Sequence, residues 1–229
     1  ALEWCVQNAE KYNIASVNMS LGDGSFDQTA ITSGMLSAEL AALQTLGVCV
    51  VSASGNDYQY RSQQGVSYPS SDVYSWSVGA LFHSDVGAIY GAQSSDKDVI
   101  VPFSQRDDEL TSIMAPGVLI PSSAVGGDTV LLSGTSMASP VIAGTVAVVQ
   151  QVALERLGRK LKPDEILKLL VETAETILDG DDENDSVVNT NLSFPRLNIE
   201  NLISAIEEQS GPDGYQYTLT QNTNIADAN

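Results

Sequence analysis

The 229 residues carry 29 acidic against 10 basic side chains, a net charge of −19. That balance argues against a nucleic-acid partner, because phosphate binding needs clusters of Lys and Arg. Hydrophobic residues make up 43 % of the chain, enough for a sizeable core in one domain with at most a small extension. Two cysteines and one histidine offer too few ligands for a Cys/His metal site, and no apolar stretch is expected to reach the roughly 18 residues of a membrane helix.

Leu2, Cys5, Val6 and Ala9 recur at helical spacing and predict a helix over 2–12. The chain opens inside this pattern with no cap before it and no signal-peptide pattern, so a fragment or processed chain is expected. Ile14 to Met19 reads as a buried strand. Residues 28–46 read as a second helix, ended by Gly47. Val48 to Ala53 is a second buried strand, within which Cys49 is a buried free thiol, as Cys5 is on its helix. Residues 57–72 read as a polar loop, Val73 to Ala80 and Val99 to Val101 as strands, and 83–98 as a surface insertion. The apolar run Thr129 to Leu132 leads towards a helix-compatible run, Val141 to Val152. Pro163-Asp164-Glu165 opens a further helix, with proline in the first turn and acids at the positive end of the dipole. Residues 179–191 form an acidic loop, and Asn198 to Glu207 is a last short helix. Beyond it Ser-Gly-Pro-Asp-Gly breaks the pattern, so 1–209 reads as the domain and 210–229 as a linker or tail.

Short apolar strands separated by helices predict an α/β fold with a parallel sheet covered on both faces. Ligand sites in such sheets lie beyond the carboxyl ends of the strands. The segments there are Ser20-Leu21-Gly22, Ser54-Gly55-Asn56 and the loop leading to Ser136.

Ser136 lies in Gly134-Thr135-Ser136-Met137-Ala138-Ser139-Pro140, at the start of the predicted helix. A serine in that place has its own N–H unpaired, and the helix dipole adds positive potential. It is good ground for a nucleophile whose substrate develops an oxyanion. A serine nucleophile also needs an adjacent base: either His83 is that base or it lies outside this chain.

The heptapeptide resembles the active-serine signature of the subtilases, the subtilisin-like serine peptidases. Val17-Asn18-Met19-Ser20-Leu21-Gly22 resembles their substrate-binding strand, and Ser52-Ala53-Ser54-Gly55-Asn56 the segment carrying the oxyanion asparagine. Tyr68-Pro69, Ser77-Val78-Gly79-Ala80, Met114-Ala115-Pro116-Gly117 and Pro195-Arg196-Leu197-Asn198 follow in the same order, so the resemblance covers residues 1 to about 208. It implies a three-layer α/β sandwich around a mostly parallel sheet, here without its N-terminal strands. It implies a serine endopeptidase, secreted or extracellular, acting on peptide or protein substrates and needing no cofactor for its chemistry.

Residue by residue, the resemblance implies Ser136 as nucleophile and Asn56 as oxyanion donor. Ser20, Leu21 and Gly22 would present backbone to an extended substrate. Ala53, Ser54 and Gly55 would form one wall of the pocket for the residue before the scissile bond. Asp57 and Ser67 fall near its rim and base, and an acid there would favour a basic substrate residue. Subtilases run Asp, His, Ser along the chain. The Asp and His motifs precede the substrate-binding strand and occur nowhere here, so this chain is expected to be inactive alone, its partner being the missing N-terminal part. His83 is expected to be a loop histidine. An α/β-hydrolase is disfavoured because its histidine follows the serine. The alternative is a non-catalytic pseudoprotease or peptide-binding domain, against which an intact Ser136 and Asn56 argue. Asp179 to Asp185 has carboxylates of the kind that suit calcium, but it lacks the EF-hand pattern. A solvated acidic loop is expected, with structural calcium unassigned.

Overall fold

The computed structural model describes residues 1–180 and 184–209. The expected tail, 210–229, and residues 181–183 of the acidic loop lie outside the described residues. In chain order the elements are α1 (Leu2–Asn8), β1 (Ser16–Met19), α2 (Ser37–Thr45), β2 (Cys49–Ala53), α3 (Tyr58–Arg61), β3 (Trp76–Leu81) and β4 (Thr111–Pro116). They continue with β5 (Ile120–Ser123), β6 (Thr129–Leu132), α4 (Thr135–Leu157), α5 (Pro163–Glu172), β7 (Glu175–Leu178), β8 (Ser193–Arg196) and α6 (Ile199–Gln209).

Six strands form one sheet in the order β1-β2-β3-β4-β8-β7, and β5 and β6 form a separate hairpin. β1 to β4 and β8 run parallel, while β7 is antiparallel to β8. Every residue of β2 and β3 is buried, as expected for strands covered on both faces. Successive side chains of a strand point to opposite faces, and β2 shows it: Cys49 and Val51 pack in the core beneath α4, whereas Val50 packs with Leu40 and Leu43 of α2. Helices therefore lie on both faces of a mostly parallel sheet, the α/β three-layer arrangement expected.

α4 is the central helix. Ala138, Ile142, Val146, Val149 and Ala153 are fully buried and recur at three- and four-residue intervals, so one stripe faces the sheet. The rest of the helix is also apolar. Its 23 residues are long and apolar enough to cross a membrane by length and composition, which corrects the expectation that no stretch would be. Half of that window is buried inside the domain, the mark of a core helix.

Several expectations are corrected. The helix predicted over 28–46 is formed only by Ser37–Thr45. The segment before it bonds elsewhere: Asp27 and Val66 exchange backbone bonds of 2.9 Å, and the Ile31 N–H donates to Ser71 O at 2.9 Å. Val99–Val101 makes only an isolated bridge, Ile100 with Leu81. Gly47 does end α2, with φ at +80° and its N–H on Gln44 O. The acidic loop is not wholly solvated, because Asp179 is buried against Arg106. Cys5 is only half-buried, while Cys49 is buried, and both are free thiols.

Candidate active site

The parallel register pairs Met19 with Ser52, so Ser20–Gly22 and Ala53–Asn56 leave the carboxyl ends of neighbouring strands side by side. α4 brings Ser136 to the same end. Its entry is fixed by the hairpin: the Gly134 N–H donates to Gly117 O at 2.8 Å, and the Leu119 N–H donates to Ser133 Oγ at 2.8 Å. Ser136 is the second residue of α4, so its N–H is among the first-turn donors that the helix leaves unused.

Ser20 ties β1 to that turn. Its hydroxyl donates to Ser136 O at 2.7 Å and lies 3.3 Å from Ser139 Oγ. Ser139 donates to Asn18 Oδ1 at 2.8 Å, and Asn18 Nδ2 donates back to Ser20 Oγ at 2.9 Å.

Asn56 is held by Thr135. Its Oδ1 accepts the Thr135 N–H at 2.9 Å and the Thr135 hydroxyl at 3.0 Å. The Thr135 Oγ1 in turn accepts the Gly55 N–H at 3.2 Å. With the oxygen committed to the helix start, the carboxamide presents its NH₂, a pure donor. A Cβ added at Gly134 would lie 3.5 Å from Asn56 Oδ1 and 3.6 Å from both Asn56 Nδ2 and Ser136 N, so the Asn56 carboxamide and the Ser136 N–H border one small space. Gly55 itself sits at φ +117° with the Gln105 side chain where a Cβ would go, and only glycine takes that place without strain.

Ser67 joins the segments that follow β1 and β2. Its N–H donates to Ser54 O at 2.8 Å. Its hydroxyl donates to Asp23 Oδ1 at 3.2 Å and accepts the Gly24 N–H at 3.0 Å. A Cβ on Gly22 would stand 2.5 Å from Ser67 Oγ. Ala53 and Ser54 are buried, while Leu21 is exposed. Asp57 is exposed and starts α3 with no side-chain cap bond, so it lies outside the network that joins the other residues.

Sequence reasoning passed over Asp23 and Thr135. Burial alone would raise the Asp23 carboxyl, but bonds from Ser25, Ser67 and the Tyr68 backbone outweigh it and hold the group below its ordinary value. Asp23 also lines a groove of about 480 Å³ beside Leu21 and Gly22, with Ile31, Met35, Leu36 and Tyr68. The signal for Thr135 was its place immediately before Ser136 at a helix start. His83 is exposed on the loop after β3, and among the described residues no hydrogen bond joins it to Ser136.

The chain is similar to known proteins in sequence and in fold. Subtilisin E of Bacillus subtilis (strain 168) is 32 % identical over 148 residues, covering 65 % of this chain and 32 % of that protein. A thermostable alkaline protease of Halalkalibacterium halodurans is 34 % identical over 151 residues, covering 65 % and 34 %. A cell wall-associated protease of Bacillus subtilis (strain 168) is 30 % identical over 190 residues, covering 76 % and 19 %. The match thus spans about a third or less of the length of these three relatives. In fold, the chain is similar to the prenylagaramide maturation protease PagA, with a TM-score of 0.66 at 24 % identity over 90 % of this chain and 66 % of that one. The patellamide maturation protease PatA gives 0.65 at 22 %, over 90 % and 69 %. The model described as the subtilase family matches residues 3–199, which take in Ser20, Asn56, Thr135 and Ser136; the chain belongs to that family.

Proposed function

We propose that this chain is the serine-bearing part of a subtilisin-like serine endopeptidase. Ser136 Oγ attacks a peptide carbonyl, the C–N bond breaks as the leaving amine takes a proton, and water then hydrolyses the acyl-enzyme. The observation that carries the reading is the Asn56 carboxamide, whose oxygen is held by Thr135 so that its NH₂ is left to donate, beside the unused Ser136 N–H at the start of α4. Fixed donors of this kind act where negative charge develops on the carbonyl oxygen. Thr135 supports it by holding the carboxamide in that orientation.

Ser20–Gly22 offer backbone to an extended peptide, and Ala53, Ser54, Gly55 and Ser67 surround the side chain next to the scissile bond. Asp57, exposed and outside the network, is a weaker source of basic selectivity than its position in the sequence implied. The general base and its carboxylate come from a segment outside these residues. Among the described residues β1 is bonded only to β2, which leaves an edge where a further strand can add. An extracellular location rests on the likeness to a cell wall-associated protease. For calcium, Asp179 is already committed to Arg106, and the ion stays unassigned.

A fluorophosphonate probe tests the reading on this chain, on the full-length protein that contains it, and on Ser136→Ala. Labelling of the full-length protein at Ser136, lost in the alanine variant, is expected, with none on the chain alone. Labelling of the chain alone would place the base within it and overturn the account of the missing segment. A folded full-length protein that never labels would make this a pseudoprotease.

A further inference from the structure

Arg106 is a fully buried cation to which the proposed chemistry assigns no task. Its side chain is 0 % exposed and its partner Asp179 1 %. The pairing is two-pronged: Nε donates to Asp179 Oδ2 at 2.9 Å and Nη2 to Oδ1 at 2.8 Å. Nη1 donates to Ser104 O at 3.0 Å. The guanidinium carbon lies 3.6 Å from the centre of the Tyr58 ring. Asp179 Oδ2 also accepts the Thr190 N–H at 2.8 Å and the Thr190 hydroxyl at 2.6 Å. Burying two charges costs several kcal/mol per ion before pairing, and a well-packed apolar pair often stabilises as well or better. Stability alone is therefore a poor account of it.

What the pair holds is the loop that carries Asn56. Residues 103–105 make three bonds to it: Ser54 Oγ donates to Gln105 O at 2.7 Å, Gln105 N to Gly55 O at 2.9 Å, and Tyr58 N to Phe103 O at 3.1 Å. These bonds flank Asn56 on both sides. Arg106 follows directly, stacked on the buried ring of Tyr58, whose hydroxyl donates to Val188 O at 2.7 Å. Asn56 is thus secured at its carboxamide by Thr135 and at its backbone by a platform that Arg106 and Asp179 lock in place.

We propose that Arg106, clamped by Asp179 and stacked on Tyr58, is a positioning residue that keeps the Asn56 carboxamide aimed at the developing oxyanion. It touches neither the nucleophile nor the substrate. The proposal rests on the peptidase reading and adds to it a cause for the precision of the donor.

The test is the paired variant Arg106→Met with Asp179→Leu in the full-length protein, which removes both charges without stranding one. With a peptide substrate, kcat is expected to fall about tenfold or more while KM stays within about twofold. In an Asn56→Ala background the same pair is expected to change kcat by less than about twofold, because the donor it positions is gone. Arg106→Lys keeps the charge but not the planar fork; it is expected to show the same pattern more weakly, and it takes over the comparison if the paired variant fails to fold. An unchanged kcat in a folded variant overturns the proposal. So does an equal fall in the Asn56→Ala background, which would mark a general structural role. If the wild type never labels with fluorophosphonate, the peptidase reading fails separately. The side-chain amide resonances of Asn56 in the full-length protein then decide the positioning: a shift towards the free-amide position in the variant supports it, and unchanged resonances overturn it.

Discussion

Thr135 shows how much one hydroxyl decides. It donates to Asn56 Oδ1 and accepts from Gly55 N, so it orients the donor and tethers the loop behind it. A hydrogen bond of this kind contributes about 1 kcal/mol net, and a transition state that loses it slows by about fivefold to tenfold. Thr135→Val in the full-length protein is therefore expected to lower the rate of Ser136 labelling by about that factor and, because the half-buried Gly55 N–H also loses its acceptor, to lower the unfolding temperature by a few degrees. Thr135→Ser keeps the hydroxyl and is expected to restore the rate. Equal rates for all three would show that the backbone bond from Thr135 N suffices.

At the scale of elements, the start of α5 carries the clearest electrostatic device. The Arg159 guanidinium bonds both oxygens of Glu165, at 2.9 and 2.7 Å, and the Lys162 N–H adds a third bond at 2.7 Å. The Arg159 pairing first and the Lys162 bond second hold the Glu165 carboxyl down to about 2. The folded value lies below the unfolded one, so the stabilisation is present above the usual carboxylate range and is lost as pH falls through it to about 2. Arg159 is half exposed and the pair is screened, which limits its worth to about 1 kcal/mol or less. Glu165→Gln is expected to cost no more than about that at neutral pH in urea unfolding, with the gap closing towards pH 2. A gap that persists in acid would mean that packing, not charge, is lost. α4 depends on a different force. Its buried row joins β2, β3 and β4 in one core, so it serves as the structural axis while its first turn presents Ser136.

For the whole molecule, the buried parallel sheet sets which groups solvent can reach. Cys49 lies in β2 at 1 % exposure, and burial pushes its thiol up to about 12. Cys5 on α1 is half-buried. A thiol reagent at neutral pH is expected to modify Cys5 in the folded chain and Cys49 only at the rate of opening of the core. In denaturant both are expected to react at once. Prompt labelling of Cys49 without denaturant would show that the β1–β2 edge of the sheet opens by itself.

The sequence by itself determined the elements whose signals are local. β2 and β3 are short, mostly apolar runs, α4 follows a helix-start motif, and Gly47 ends α2. It also made Ser136 and Asn56 candidates, because each stands in a short motif and the motifs follow one another along the chain. Only the tertiary structure decided the rest. Residues 28–36 leave the helical pattern because Asp27 and Ile31 find backbone partners on the 66–73 segment. β7 and β8 carry too few apolar residues to announce themselves and exist by pairing with each other and with β4. Asp179, at the head of an acidic run in the sequence, is buried by Arg106, 73 residues earlier. A contact at that separation leaves no periodicity behind: its energy comes from desolvation and geometry that exist only once the chain has folded.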